Sequence, residues 1–294
     1  MRRGSSMLLL ALSMALPGVG AAAPYEVVLL GDSITQGVSS APIGPSFASL
    51  LSDSLGAGFD VINIGCGGTS SRDWSPSSGI SVCVGLPDPN LPANLYRALA
   101  VPNLPADLVV IMLGTNNAIG AFEPAPLTAE EYRAALEELV TQSLVDGASE
   151  GMLATPPPNF ADPEVMPTLL AYAAEILDLC SATGDAVRCG PDILSLLQSE
   201  DFEPGQIHPD ASGHAKIADA MVDSIRLAIP ELGTGAMLGG APLVLKRMRH
   251  RQRSSGSSGS TQRSPPDQLR TSRATASTCS VWGRKSKGST DSVR

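Results

Sequence analysis

The sequence predicts an α/β protein built on a mainly parallel sheet of about five strands. Three observations carry this reading. From Tyr25 onward, short apolar runs alternate with amphipathic stretches, the pattern of repeated β-α units. The chain is 43% hydrophobic and only 4% aromatic, so its core must be mostly Ala, Leu, Val and Ile. Three of the apolar runs end directly in polar, glycine-bearing loops, where open parallel sheets place their ligands.

Taken in order, residues 1–23 read as a secretory signal peptide. Arg2 and Arg3 form a basic start, Met7 to Leu16 an apolar stretch, and Gly20 to Ala23 a small-residue cleavage zone. Pro24 is a poor first mature residue, which favours cleavage after Ala22. Expected strands are Glu26–Leu30, Phe59–Ile64, Leu108–Leu113 and Gly151–Thr155, with a weaker one near Ala186–Arg188. Expected helices are Ser46–Ser54, Asn94–Ala100, Thr128–Val145, Pro163–Cys180, Pro191–Gln198 and Ala211–Ile229. The Thr128 helix is the clearest, because Thr128 and Glu131 form a capping box and Ala135, Leu136, Leu139 and Val140 share one face. Pro156-Pro157-Pro158 reads as a stiffened loop after a strand. The folded domain is expected over 24–233, followed by a disordered, basic, Ser-rich tail over 234–294.

Charge divides the chain sharply. Residues 24–245 hold six basic residues against 27 acidic ones, a balance of −21. From Lys246 onward there are twelve basic and two acidic, a balance of +10. A body this acidic is not expected to bind nucleic acid or anionic lipid through its general field. Beyond the leader, no apolar run reaches the roughly 18 residues of a membrane span. In an exported protein cysteines are expected in pairs. Cys180 and Cys189 flank a turn-forming stretch and are expected to bond, leaving Cys66 to pair with Cys83 and Cys279 alone in the tail.

The polar loops carry the chemistry. Val27–Leu30 runs into Gly31-Asp32-Ser33, Val61–Asn63 into Gly65-Cys66-Gly67-Gly68-Thr69, and Val109–Leu113 into Gly114-Thr115-Asn116-Asn117. Gln206-Ile207-His208-Pro209 precedes the last helix. A serine hydroxyl needs a base to become a nucleophile, and His208 is the well-placed one. An oxyanion needs donors aimed at it in advance, and backbone N–H groups at Ser33 and Gly68 with the Asn116 amide would supply three.

In this order the motifs resemble those of the SGNH, or GDSL, hydrolases. Gly31-Asp32-Ser33-Ile34-Thr35 is similar to the block that carries the nucleophile, and Asn63 to Ser70 to the block whose glycine, here Gly68, serves the oxyanion. Gly114-Thr115-Asn116-Asn117 resembles the third block, with Asn116 as oxyanion asparagine and Asn117, expected at the substrate pocket, where Asp is usual. Ile207-His208-Pro209 resembles the block of the base. The resemblance covers residues 25 to about 229. It implies a three-layer α/β/α sandwich with a flavodoxin-like sheet, and a secreted ester hydrolase without cofactor or metal. The acid position, three residues before the histidine, holds Gly205. A backbone carbonyl near Gly205 or Gln206, then Glu203, then Asp201 are the expected supports for His208.

The remaining candidates have plainer readings. Asp32 is expected to fix its loop by hydrogen bonding, and His214 to be a surface or packing residue. His208 and His214 are six apart, which does not match common zinc spacing. Trp74 and Phe122 lie in loops near the site, where either lining a substrate pocket or covering the edge of the core remains open. The substrate is expected to be a small-molecule, glycan or lipid ester, acted on by a secreted or periplasmic monomer. An acyltransferase on the same site, or a binding module that has lost turnover, are the alternatives.

Overall fold

The computed structural model describes residues 23–38, 44–78, 83, 94–121 and 125–229. Residues 1–22 of the expected signal peptide, Phe122 and the basic tail with Cys279 lie outside the described residues. Five strands form one parallel sheet in the order β2-β1-β3-β4-β5. They are β1 Tyr25–Gly31, β2 Phe59–Asn63, β3 Leu108–Met112, β4 Glu150–Ala154 and β5 Val187–Cys189. This is the expected flavodoxin-like arrangement, and each expected strand is present with small shifts at its ends.

Side-chain alternation along the strands builds two cores, one on each face. Val27 and Leu29 of β1 and Val110 of β3 face α2 (Phe47–Leu55) and α8 (Ala211–Ala228). Val28 and Leu30 face the opposite side, against α5 (Ala129–Asp146) and α6 (Met166–Ala182). Every residue of β3 is buried, as a central parallel strand requires. Truncating one such side chain, for example Ile111→Ala, would cost about 2–5 kcal/mol. The Thr128–Glu131 capping box starts α5, and Tyr132 stacks on Tyr172 of α6 with ring centroids 4.0 Å apart. Among the described helices, Pro163–Ala182 is apolar and long enough to cross a membrane. Its Leu169, Tyr172, Ile176 and Leu179 are core residues, so α6 serves as a layer of the sandwich.

Two helices differ from expectation. The Pro191–Gln198 stretch forms only α7, Ile193–Leu196. Leu197 turns extended, and the Asp201 carboxylate takes the Gln198 N–H at 2.9 Å, opening a separate 3-10 turn at Ser199–Asp201. The Asn94–Ala100 stretch becomes a π-helical turn, Tyr96–Ala100, followed by a 3-10 turn that contains Pro102. Both disulfides pair as expected, Cys66 with Cys83 and Cys180 with Cys189, each with Cα atoms 5.4 Å apart.

From β1 the chain steps to one neighbour, β2, and then crosses to the other, β3. That reversal opens a crevice at the carboxyl ends of β1 and β3, where an open α/β sheet receives its ligand.

Candidate active site

The site begins where β1 stops. Gly31 is required there, because a Cβ would collide with Thr35 Oγ1 and lie 2.7 Å from Met112 O. Asp32 caps the short helix α1 (Ser33–Gln36), its carboxylate accepting from Ile34 N at 2.9 Å. Burial pushes the Asp32 carboxyl up to about 7, although the N–H groups of Ile34 and Thr35 favour its charged form. Asp32 is thus the loop-fixing residue expected from the sequence. Ser33 opens α1, and its Oγ lies 2.9 Å from His208 Nε2. A neutral imidazole protonated on Nδ1 would accept the serine proton at that contact.

The second loop is anchored to the first at several points. Asn63 Nδ2 donates to Thr35 O at 2.7 Å, and Cys66 N donates to Gly31 O at 3.0 Å. Gly68 has φ +79°, a left-handed conformation that side chains disfavour. The loop closes on Trp74 of α3 (Ser71–Trp74), whose indole N–H is shared between Thr69 Oγ1 at 2.9 Å and Gly31 O at 3.2 Å. Trp74 is wholly buried, so it belongs to the core and lines no substrate pocket.

The third loop enters α4, Thr115–Ile119, through Gly114 at φ +137°. Asn116 Nδ2 donates to Thr69 O at 2.8 Å, tying the third loop to the second beside Gly68. Asn117, expected at the substrate pocket, is buried and does not line the cavity. Successive helical side chains diverge by about 100°. With Asn116 at the cavity wall, Asn117 therefore turns inward, accepting from Ser71 N at 3.0 Å and donating to Ser71 Oγ at 3.1 Å.

His208 arrives on a loop pinned at its neck by an antiparallel bridge between Phe202 and Pro209. Gly205, at φ +73°, and the Gln206 N to Glu203 O bond of 3.0 Å make its tip. Asp201 does not face His208. It is 1% exposed and binds Gln198 N, Ser212 Oγ and, at 2.8 Å, Lys216 Nζ. Burial raises its pKa, but the Gln198 N–H, Lys216 and Ser212 outweigh that and hold its carboxyl below the usual range. Asp201 is therefore an anchor of the loop. Glu203 sits on the exposed side of the turn, and among the described residues no carboxylate is hydrogen-bonded to His208. Burial, with the nearby His214, lowers the His208 pKa from its ordinary value.

His214 is buried rather than superficial. Its Nδ1 accepts from Phe47 N at 3.3 Å and its Nε2 faces Val38 O at 3.3 Å, so its packing role holds and a surface one does not.

Ser33, Gly68, Asn116 and His208 share one cavity of about 350 Å³. Its remaining wall is largely apolar, with Val38, Ile119, Ala121 and Ile207. The sequence reading missed these four. Helical spacing gives Ile119, three residues after Asn116 on the same face, and adjacency gives Ile207; Val38 and Ala121 follow helix ends and carry no such signal. A second cavity, of about 410 Å³, lies against Cys180, Cys189 and Arg188 near β5, without a nucleophile–base pair in its wall.

A parallel α/β sandwich with a paired serine and histidine at its switch point is an arrangement suited to a hydrolase. Residues 29–216 match the GDSL-like Lipase/Acylhydrolase family, and the chain belongs to it, as a carboxylic ester hydrolase. Among solved structures it is similar to the native aryl esterase of M. smegmatis, at 22% identity and a TM-score of 0.52, covering 70% of this chain and 100% of that one. It is similar also to LAE5, an alpha/beta hydrolase from the Lake Arreo metagenome, at 20% identity and TM-score 0.52 over 71% of this chain and 98% of that one. A catalytic mutant of Axe2, an acetylxylan esterase from Geobacillus stearothermophilus, matches at 19% identity and TM-score 0.52 over 70% and 95% of the two chains. No curated protein matches the chain.

Proposed function

We propose that the protein cleaves carboxylic esters through an acyl-enzyme on Ser33, with His208 as general base and acid. The observation that carries this reading is the 2.9 Å contact between Ser33 Oγ and His208 Nε2, in a cavity also walled by Gly68 and Asn116. In the first step Oγ attacks the ester carbonyl as its proton passes to Nε2. The oxyanion is received by the N–H groups of Ser33 and Gly68 and by the Asn116 amide. Collapse expels the alcohol, which takes the proton from His208. Water, deprotonated by His208, then attacks the acyl carbon, and Ser33 Oγ leaves with that proton returned from His208 as the acid is released.

His208 works in this reading as half of a dyad, oriented by its loop. Asp201 is committed to Lys216 and Ser212, and Glu203 lies on the exposed turn. The substrates we favour are small acetyl or aryl esters, because a cavity of about 350 Å³ is at the small end of ligand sites, which span roughly 300–1,000 Å³. The aryl esterase and the acetylxylan esterase among the similar structures suit that choice. Two disulfides and the basic-then-apolar start fit export to an oxidising compartment, with 24–233 as the working domain.

Ser33→Ala should abolish turnover of p-nitrophenyl acetate, and a fluorophosphonate probe should label the parent protein but not the variant. Retained turnover in Ser33→Ala would overturn the assignment.

A further inference from the structure

We propose that this site selects esters by charge, taking neutral and cationic esters and discriminating against anionic ones. The inference rests on the Ser33 reading and concerns its substrate class. It follows from where the domain keeps its cations.

Residues 24–245 contain six Lys and Arg residues in all, and each lies among the described residues. Three sit at the edge where the strands begin, opposite the site. Arg188 of β5 pairs at 2.9 Å with Glu150, the first residue of β4. Arg226 donates to Ser54 O near the end of α2, just before β2 starts. Arg97 flanks Tyr96, whose hydroxyl donates to Asp146 at the end of α5, just before β4. A fourth, Arg133, binds Glu175 across α5 and α6 at 3.0 Å.

Only Arg72 and Lys216 belong to segments that build the site edge, and each has a carboxylate on it. Arg72 meets Glu131 at 3.1 Å, and Lys216 meets the buried Asp201 at 2.8 Å. Asp210, two residues after His208, adds a carboxylate that accepts from Gly213 N at 3.0 Å at the start of α8. Beyond Ser33, Gly68, Asn116 and His208, the cavity wall brings Val38, Ile119, Ala121, Ile207, Gly67 and the neutral amide of Gln36, with no Lys or Arg among its described residues. His208 does not replace a cation, since burial favours its neutral form.

A carboxylate, sulfonate or phosphate on the substrate would therefore be desolvated against a largely apolar wall whose Gln36 amide is neutral, without a counter-charge. It would also approach through a negative field. Such fields alter association by about 10–10³-fold, and salt screens them over a Debye length of roughly 10 Å at 0.1 M. A cationic leaving group meets the opposite conditions.

The test uses the full chain and three acetates of similar leaving group: neutral 4-nitrophenyl acetate, anionic 4-acetoxybenzenesulfonate and cationic 3-acetoxy-N,N,N-trimethylanilinium. Each kcat/KM is divided by the ester's alkaline hydrolysis rate. At low salt the cationic ester should exceed the anionic one by about tenfold or more. Adding salt should lower kcat/KM for the cation and raise it for the anion. Equal normalised rates with no salt dependence would overturn charge selection while leaving Ser33 catalysis intact. Preference for the anion would also overturn it. If none of the three is cleaved and fluorophosphonate labelling fails, the Ser33 reading falls and this inference with it.

Discussion

Replacing Trp74 by Phe tests whether the core sets the geometry of the proposed oxyanion donors. The indole N–H reaches both Gly31 O, two residues before Ser33, and Thr69 Oγ1, one residue after Gly68. Thr69 in turn donates to Cys66 O at 2.7 Å and offers its own carbonyl to Asn116 at 2.8 Å. One side chain thus spans the strand before Ser33 and the loop that contains Gly68 and binds Asn116, both proposed to receive the oxyanion. Phe keeps most of the apolar contact and removes the donor. Gly31 O would still accept from Cys66 N, so no carbonyl there is orphaned. The lost hydrogen bond is worth about 0.5–1.5 kcal/mol, and the smaller ring adds roughly 1–2 kcal/mol of cavity cost.

The catalytic effect separates from that stability loss. Removing a whole oxyanion donor costs about 10²–10³ in kcat, so Asn116→Ala should fall in that range. Trp74→Phe only loosens Thr69, and a drop of roughly tenfold in kcat with KM unchanged is expected. The assay is steady-state turnover of p-nitrophenyl acetate, with the active fraction counted by fluorophosphonate titration and thermal melts run alongside. If Trp74 acts through Asn116, the double variant should be little slower than Asn116→Ala alone. Full additivity, or a lowered Tm with unchanged kcat, would refute the coupling.

Three further outcomes follow from the site. Since His208 must be neutral to act as base and its pKa is lowered, kcat/KM should fall only on acidification below about pH 6.5; a pH-rate profile with its acid limb well above that value would contradict this. Glu203→Gln should change kcat by less than about threefold, whereas loss of orders of magnitude would install Glu203 as the missing acid. Asp32 retains its proton in the folded state up to about pH 7 but loses it near 4 when unfolded, so its contribution to stability falls as pH rises across that window. Asp32→Asn preserves an acceptor for Ile34 N, and its stability relative to the parent should grow by up to about 1.4 kcal/mol per pH unit between pH 4.5 and 7 in urea melts.

The sheet was legible because its strands are short apolar runs that end in punctuation. Val109 to Leu113 stops at Gly114 and Val27 to Leu30 at Gly31, and the structure gathers the loops after both at one cavity. Direction was harder to read than position. Trp74 and Asn117 do lie next to the site, but nothing local says which way a side chain points. Asn117 faces inward because Asn116 takes the cavity wall, and Trp74 because its N–H finds Thr69 and Gly31. His214 was ambiguous for the same reason, since its partners Phe47 N and Val38 O lie more than 160 residues away. Asp201 looked like an acid by proximity to His208, and only the fold reveals Lys216 as its partner.

That last pairing bears on how the proposed Ser33–His208 dyad works with glycine at the acid position. A triad carboxylate does two things: it holds the imidazole in one orientation and it stabilises the imidazolium. Orientation can be supplied by backbone. The Phe202–Pro209 bridge closes the loop beside His208, the Asp210 N to Asp201 O bond of 2.8 Å secures its exit, and Asp201 fastens that exit to Lys216 of α8. Charge stabilisation is a different matter, because no carboxylate among the described residues bonds the ring and burial disfavours its charged form. The two functions of the acid are therefore separable here. Lys216→Met should slow catalysis through orientation, with the acid limb of the pH profile staying in place. If that limb shifts by a unit or more instead, Asp201 communicates charge to His208, and the division of labour argued from this loop fails.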